Sequence, residues 1–260
     1  MEIAKSLAVR AGKKILKVYA SGKFETSQKG NMGPLTKADL SANSIIVGNL
    51  KKKFPNHAIL TEEGADDKKR LKNDYVWIID PLDGTKEFIA GNTEFTVNIA
   101  LVHGKKPIMG VVYAPARDEL YFALKGFGAY LEKNGKIQRI NVSDKSKLNK
   151  MVLVKSRYHP SEAIKRLVSK GLFASAKTYG SSLKGCMIAA GKADVYFRFG
   201  PISEWDICAM NIIIDEAGGI LTNLSNQKIQ YNSEEPKIHG FIVSNNRAHD
   251  KLIKLSEGVI

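Results

Sequence analysis

Two carboxylates follow an apolar run in residues 77–88, which read WIIDPLDGTKEF. The run itself, residues 75–79, has the length and the β-branched side chains of a buried strand. Asp80 and Asp83 would lie at the end of that strand, where a buried carboxylate is unfavourable unless a cation lies beside it. Because no His or Cys cluster accompanies them, these oxygen ligands favour Mg²⁺ or Mn²⁺ over Zn²⁺.

The residues around these carboxylates favour a rigid turn that could hold an anion. Pro81 fixes φ and has no N–H, and Gly84 allows the backbone to approach a ligand closely. Thr85 could cap a short helix whose N–H groups point at a phosphate. This combination is typical of a metal-dependent phosphatase, although a strand followed by a capped turn with solvated Asp residues would have the same sequence.

Further carboxylates lie at the ends of other predicted elements. A short strand over residues 58–60 leads to Glu62 and Glu63, of which one should reach the metals. Asp206 opens a nearly apolar helix and would enter the core, where the helix dipole and a cation could compensate its charge. Asp39 opens another helix within Thr-Lys-Ala-Asp, so it is either a site residue or a first-turn acid in a capping box.

Composition limits the class of protein. The chain has 260 residues and a formal net charge of +14, which predicts attraction to polyanions, although a lysine-rich solvated surface would give the same charge. No basic stripe with interleaved aromatic residues occurs, so no specific nucleic-acid binding is expected. Cys186 and Cys208 lack C-x-x-C spacing and predict reduced core residues in a cytoplasmic protein. Without an apolar stretch of membrane-spanning length or a signal peptide, we expect at most peripheral membrane contact.

The periodicity of the chain predicts a mixed α/β fold. Helices are predicted over residues 2–20, 37–54, 161–170, 180–190, 204–217 and 249–255, and strands over 58–60, 75–79, 96–102, 108–113, 120–123, 128–131, 151–154, 178–179, 193–199, 220–221 and 240–243. Residues 21–34 are expected to form a mobile loop or hairpin, and residues 65–73 a charged surface loop. We divide the chain into an N-terminal α+β subdomain, residues 1–146, and a C-terminal α/β subdomain, residues 147–260.

Several separate motifs together resemble a known family. DPLDGT after an apolar strand, Glu204-Trp205-Asp206 followed by Ala217-Gly218-Gly219, and the upstream acidic pair resemble the inositol monophosphatase superfamily of magnesium-dependent, lithium-sensitive phosphatases. DGTKEF, EFTVNIALV, GVVYAPA and GSSLKG are similar to its 3′(2′),5′-bisphosphate nucleotidase branch. The resemblance covers nearly the whole chain and implies a layered α-β-α-β-α sandwich.

The resemblance also implies a role for each acidic residue. Two or three Mg²⁺ ions would be held by Glu62, Asp80, the Leu82 carbonyl, Asp83 and Asp206. Such ions could activate a water on one side of the phosphate and stabilise the leaving oxygen on the other. Thr85, with Asp39 and Glu62, would orient and deprotonate that water.

The substrate implied by the resemblance is a phosphorylated nucleotide, 3′-phosphoadenosine 5′-phosphate, which would give AMP and phosphate. The amides of Gly84 and Thr85, beside Asp83 and Asp206, would hold the phosphoryl group that is transferred. Ser181, Lys184 and Arg198 are the candidates for the ribose and the retained 5′-phosphate, and Glu204 for a sugar hydroxyl or the water network. The alternative for Ser181 and Lys184 is a helix cap and a solvated lysine.

Two alternatives remain. One is a sister phosphatase that acts on inositol phosphates or a sugar bisphosphate. The other is a catalytically inactive polyanion-binding protein, which the converging carboxylates argue against, because they would repel a polyanion unless metals intervened. The chain could be a monomer or a homodimer.

Overall fold

The computed structural model describes residues 1–22, 26–28, 34–66, 68–158 and 161–258. The helices within these ranges are α1 (Glu2–Ser21), α2 (Lys37–Lys53), α3 (Thr85–Ile89), α4 (Glu162–Ser169), α5 (Leu183–Ala189), α6 (Glu204–Glu216) and α7 (His249–Glu257). The strands are β1 (Thr26–Gln28), β2 (Pro34–Thr36), β3 (Ala58–Thr61), β4 (Tyr75–Asp83), β5 (Thr96–His103), β6 (Lys106–Ala114), β7 (Glu119–Leu124), β8 (Gly128–Lys133), β9 (Lys136–Ile140), β10 (Val152–Ser156), β11 (Ser175–Tyr179), β12 (Val195–Arg198), β13 (Ile202–Ser203), β14 (Ile220–Thr222), β15 (Lys237–Ile238) and β16 (Phe241–Ser244).

Two large sheets organise the fold. The 7-stranded sheet has the order β3-β4-β5-β6-β7-β8-β9, and all its neighbours are antiparallel except β3 and β4. The 5-stranded sheet has the order β11-β10-β12-β16-β14, with β10 parallel to both β11 and β12. The parallel pairs and the antiparallel meander together make the chain a mixed α/β protein.

The core shows why these elements stack in five layers. Helices α1 and α2 pack on one face of the large sheet, and α5 and α6 fill the space between the two sheets. Helices α4 and α7 cover the other face of the smaller sheet. The order is therefore α-β-α-β-α, which confirms the predicted fold class.

Helix α6 lies at the centre of this arrangement because it is apolar nearly all round. Ile207, Cys208 and Ile213 are among its fully buried residues, and the helix contacts strands β4 to β8. Close approach to the sheet depends on Gly110 of β6, where an added Cβ would lie 2.4 Å from the Ala209 carbonyl oxygen. The sequence of α6 therefore carries its first turn deep into the protein.

The sequence predictions were wrong at several connections. Strands β9, β13 and β15 were not predicted. Within the predicted surface loop 65–73, Lys69–Lys72 form a 3₁₀ turn and Arg70 is buried; residue 67 lies outside the described residues. Most of the predicted loop or hairpin 21–34 also lies outside them, but β1 and β2 pair antiparallel across it.

The predicted division into two subdomains falls between the two large sheets. The two large sheets use residues from different parts of the chain but share one hydrophobic cluster, and the boundary after residue 146 stays a prediction.

No helix in the described ranges combines the length and the apolar character that crossing a bilayer requires.

Candidate metal and phosphate site

Strand β4 continues through the acidic motif and brings two carboxylates into the protein. Its register with β5 shifts between Asp80 and Asp83, so the backbone is irregular where the strand was predicted to end. Asp80 is 1 % exposed, and its Oδ1 accepts a hydrogen bond from the Leu82 N–H at 3.0 Å. Its Oδ2 is buried and has no hydrogen-bond donor among the described residues. A buried carboxylate oxygen without a hydrogen-bond donor is unfavourable unless a cation lies beside it.

Asp206, from the first turn of α6, joins these two carboxylates. Ligand oxygens of Asp80, Asp83 and Asp206 all lie within 4.8 Å of one another. Burial, reinforced by the negative charge of Asp83, raises the pKa of Asp206 to about 7. The pKa of Asp80 is raised well above its usual range by burial and by the neighbouring carboxylates. A set of hard oxygens that repel one another in this way fits a divalent cation.

The two glutamates that follow β3, Glu62 and Glu63, affect different neighbouring carboxylates. Glu62 lies beside Asp80, and its negative charge and side-chain contact contribute to the raised pKa of Asp80. It is outside the compact group of three, but it lines the same cleft. The charge of Glu63 acts instead on Asp39 and raises its pKa. The structure therefore places Glu62 next to the cluster, whereas Glu63 contributes to the environment of Asp39.

The Asp39 carboxylate forms the capping box considered from the sequence, and its site role stays a prediction. Its Oδ2 accepts from the N–H and the hydroxyl of Thr36, and this capping box starts α2. Its Oδ1 lies 3.4 Å from the hydroxyl oxygen of Thr85. Burial, which outweighs the Thr36 hydrogen bonds, raises the pKa of Asp39 to about 6. One oxygen of this carboxylate is thus engaged in the capping box and the other lies beside Thr85, while Asp39 itself is not among the described residues that line the cleft.

The start of α3 differs from its prediction. Gly84, not Thr85, is the N-cap, and its φ of 90° requires a residue that tolerates the left-handed region. Thr85 is the first residue of the helix, and its hydroxyl lies 3.3 Å from the Leu82 carbonyl oxygen. The Thr85 hydroxyl is therefore directed to the acidic site rather than to the helix N–H groups.

Residues that were not predicted hold Asp83 in place. The Ser182 N–H donates to Asp83 Oδ2 at 2.6 Å, and Asn98 Nδ2 donates to the same oxygen at 3.3 Å. The Ser182 hydroxyl lies 3.0 Å from that oxygen and 2.6 Å from the Asp206 carbonyl oxygen. These contacts leave Oδ1 as the Asp83 oxygen for a ligand. The sequence gives no periodic signal for them, because β5, α5 and α6 are far apart along the chain.

The carboxylates line an open cleft of about 430 Å³ between the two halves of the chain. Lys184 was considered a possible solvated residue, but it is 8 % exposed, and its Nζ donates to the Ser181 carbonyl at 2.6 Å. Arg198 also lines the cleft, and its Nη2 donates to the Pro201 carbonyl at 2.9 Å. The predicted residues at the wall of the cleft are Glu62, Asp80, Leu82, Asp83, Gly84, Thr85, Ser181, Lys184, Arg198 and Asp206.

Glu204 does not join them. It is 0 % exposed, and its two oxygens accept from the N–H groups of Asn232 (2.7 Å) and Ser233 (3.0 Å). Burial raises its pKa, and the hydrogen bonds and the charge of Arg70 act in the opposite direction. The structure therefore does not bring Glu204 to the wall of the cleft, because its side chain is buried and hydrogen-bonded to residues 232 and 233.

Comparison with known proteins supports the same class of site. The sequence profile of the inositol monophosphatase family matches residues 1–260. The chain is 40 % identical over 227 residues to the 3′(2′),5′-bisphosphate nucleotidase CysQ of Buchnera aphidicola. The alignment covers 86 % of this chain and 84 % of the relative.

Solved structures show the same fold over nearly the whole chain. An IMPase of Thermotoga maritima superposes with a TM-score of 0.86 and 31 % identity, covering 99 % of this chain and 96 % of the other. CysQ of Bacteroides thetaiotaomicron superposes with a TM-score of 0.82 and 37 % identity, covering 94 % and 96 %.

Proposed function

The chain belongs to the inositol monophosphatase family, and we propose that it is a magnesium-dependent 3′(2′),5′-bisphosphate nucleotidase. The proposed reaction is hydrolysis of the 3′-phosphate of 3′-phosphoadenosine 5′-phosphate, which gives AMP and phosphate. The observation that carries this proposal is the convergence of Asp80, Asp83 and Asp206 within 4.8 Å, in a cleft that Lys184 and Arg198 also line. The relatives named as nucleotidases supply the substrate class.

The carboxylate cluster is the proposed place for Mg²⁺. Glu62, Asp80, Asp83, Asp206 and the Leu82 carbonyl would hold two or three ions, because hard oxygen ligands suit Mg²⁺. When bound, these ions supply the Lewis acidity that activates a water and stabilises the leaving oxygen. The orphaned Oδ2 of Asp80 supports a cation at this point.

Asp39 and Thr85 are proposed to position and deprotonate the attacking water. The Thr85 hydroxyl can donate to Asp39 Oδ1 or to the Leu82 carbonyl, which leaves its lone pairs to accept a hydrogen bond from water. The raised pKa of Asp39, about 6, suits a group that accepts a proton near neutral pH. Since Asp39 Oδ2 is engaged by Thr36, the proton would pass toward Oδ1.

The substrate would lie across the cleft with its two phosphates at opposite ends. The backbone N–H groups of Gly84 and Thr85 would hold the phosphoryl oxygens as their charge develops. Ser181, Lys184 and Arg198 would bind the ribose and the retained 5′-phosphate. The buried position of Lys184 supports this assignment, because a cation with few water contacts interacts more strongly with an anion.

A second candidate is a phosphatase for inositol phosphates or a sugar bisphosphate, which the similarity to an IMPase favours. The lysine and arginine that line the cleft favour a substrate with a second phosphate over an inositol monophosphate. We further propose a cytoplasmic enzyme that acts as a monomer or homodimer.

A direct assay separates these candidates. Phosphate release from 3′-phosphoadenosine 5′-phosphate, inositol monophosphate and fructose bisphosphate would be measured side by side during a Mg²⁺ titration and repeated with Li⁺. We expect the nucleotide to be the preferred substrate, with Mg²⁺-dependent and Li⁺-inhibited release. A clear preference for inositol monophosphate would refute the nucleotidase proposal.

A further inference from the structure

A neighbouring segment of the chain covers the buried Glu204 carboxylate at the first residue of α6. We call residues 231–235 the bracing segment. Its N–H groups at Asn232 and Ser233 donate to the two Glu204 oxygens at 2.7 and 3.0 Å, and the Ser233 hydroxyl donates to Glu204 as well. Glu204 thus links the start of α6 to the bracing segment by three hydrogen bonds to a charged group, which are the strong kind.

A buried arginine from the N-terminal half holds the other side of the bracing segment. Arg70 is 2 % exposed, and its Nη1 donates to Asn232 Oδ1 at 2.8 Å and to the Ser233 carbonyl at 2.9 Å. The Asn232 side chain donates back to the Arg70 carbonyl at 3.1 Å. Asp66 accepts from Arg70 Nε at 3.0 Å and from Nη2 at 2.7 Å, which neutralises and orients the guanidinium.

Tyr231 adds a contact on each side. Its N–H donates to the Lys105 carbonyl in the β5–β6 turn at 3.0 Å, and its hydroxyl donates to Asn211 of α6 at 2.8 Å. The bracing segment is therefore fixed to the N-terminal half and to α6 by the same few residues.

The position of Asp206 depends on this helix start. Asp206 Oδ2 accepts from the Ser203 N–H at 3.0 Å, and the Glu204 N–H donates to the Pro236 carbonyl at 3.0 Å. Strand β13, which ends at Ser203, pairs with β15, which follows the bracing segment. A displacement of the bracing segment would therefore move the first turn of α6 and, with it, the Asp206 carboxylate.

We propose that Arg70, Ser233 and Glu204 form a positioning network that sets the divalent-cation affinity of the carboxylate cluster through Asp206. This inference rests on the proposed metal-dependent function. None of the three lines the cleft, so they are positioning residues that act on a proposed ligand from outside the site. Residues that orient metal ligands from this distance typically change metal affinity when they are removed.

The test is a Mn²⁺ titration of the metal-free, full-length protein, in which electron paramagnetic resonance reports free Mn²⁺. Arg70→Met removes the guanidinium, and Ser233→Ala removes one hydroxyl and leaves the backbone contacts. Lys72→Met is the matched control, because it removes one positive charge from an exposed position in the same 3₁₀ turn. Urea unfolding of the metal-free variants measures their stability separately.

We expect Arg70→Met to raise the Mn²⁺ Kd by about tenfold or more. Ser233→Ala should raise it less, and Lys72→Met should leave it unchanged. The KM for the nucleotide at saturating Mn²⁺ should stay near the wild-type value in all three, because the network does not touch the substrate.

The proposal is overturned if Arg70→Met and Ser233→Ala lower stability but leave the Mn²⁺ Kd of the folded protein at the wild-type value, because the network would then be structural only. If Arg70→Met does not fold, Ser233→Ala decides by the same criterion. A wild-type protein that binds Mn²⁺ but releases no phosphate from the nucleotide would refute the proposed function, and the comparison of Mn²⁺ affinities would still stand.

Discussion

The hydroxyl oxygen of Thr85 lies 3.4 Å from Asp39 Oδ1, so the start of α3 meets the start of α2 beside the cleft. The other oxygen of Asp39 is held by the N–H and the hydroxyl of Thr36. Since the capping contacts fix the carboxylate, its other oxygen is held in a defined direction beside Thr85. This geometry would let Asp39 act as the proposed general base without reorganising during the reaction.

Asp39→Asn should therefore abolish most activity while preserving the fold. Asp39 is the third residue of α2 and completes the capping box that Thr36 begins. An asparagine side-chain oxygen can still accept the hydrogen bond from the Thr36 N–H, but it cannot accept a proton from water. We expect kcat to fall by about 10²–10⁴-fold, the usual contribution of a general base. Circular dichroism and steady-state phosphate release would measure the two effects, and a kcat within about threefold of wild type would exclude Asp39 as the base.

Glu63→Gln tests the same carboxylate through its pKa. The negative charge of Glu63 helps to raise the pKa of Asp39, so its removal should lower that pKa. Because Asp39 must be deprotonated to act, activity rises with pH through its pKa, and the acidic limb of the kcat profile should move to lower pH in this variant. If the acidic limb does not move in this variant, the group that titrates in it is not Asp39.

Asp83→Asn should keep the fold but lose metal-dependent phosphate release. An amide oxygen can still accept the hydrogen bonds that Ser182 and Asn98 donate to Asp83 Oδ2, so the local structure should persist. The amide lacks the negative charge that a divalent cation requires in this cluster. Metal titrations of phosphate release and of Mn²⁺ binding would both detect the loss. Near-normal turnover would show that Asp83 is not a ligand in the proposed metal site.

The metal-free protein should lose stability as pH rises from about 4 to about 7. Asp206 has a pKa of about 7 in the folded protein, against the ordinary value of 3.8, and the pKa of Asp80 is also raised. In this window the folded state binds more protons than the unfolded state, so the free energy of unfolding falls as pH rises. Well above pH 7 Asp206 is ionised in both the folded and the unfolded protein, so its contribution to the free energy of unfolding no longer changes with pH.

Mg²⁺ should remove this pH dependence, because binding neutralises the same carboxylates. Urea unfolding at several pH values, with EDTA or with Mg²⁺, measures both curves. Asp80→Asn with Asp206→Asn is the control, and its stability in EDTA should not fall over this range. A wild-type curve in EDTA that rises from pH 4 to 7 would contradict the cluster of repelling carboxylates.

Local signals in the sequence predicted much of the fold. The apolar run before Asp80 and the nearly apolar α6 give strong periodic patterns, because each buries a continuous surface. Carboxylates at the ends of such elements can be found from the sequence, since burial of a charge needs a partner. The structure brings Glu62, Asp80, Asp83 and Asp206 together in this way.

The remaining errors share a physical cause. Arg70, Ser182 and Asn98 make their important contacts with residues far away in the chain, and polar contacts of this kind leave no period in the sequence. The sequence gives no sign of the contacts of Glu204 for the same reason, because its partners lie 28 and 29 residues later. Short edge strands such as β9 are mostly exposed and therefore lack an alternating apolar pattern.

Lys184→Met should weaken binding of the doubly phosphorylated nucleotide more than that of a singly phosphorylated analogue. Lys184 Nζ is buried at the wall of the cleft, where it already donates to the Ser181 carbonyl. A hydrogen bond to a charged phosphate contributes about 1.5–3 kcal/mol, so its loss should raise KM for 3′-phosphoadenosine 5′-phosphate about tenfold or more. KM for 3′-AMP should change much less, because it lacks the 5′-phosphate. Lys192→Met, at an exposed position just after α5, controls for the loss of charge. Equal changes in KM for both nucleotides would indicate that Lys184 supports the Ser181 backbone and does not bind the second phosphate.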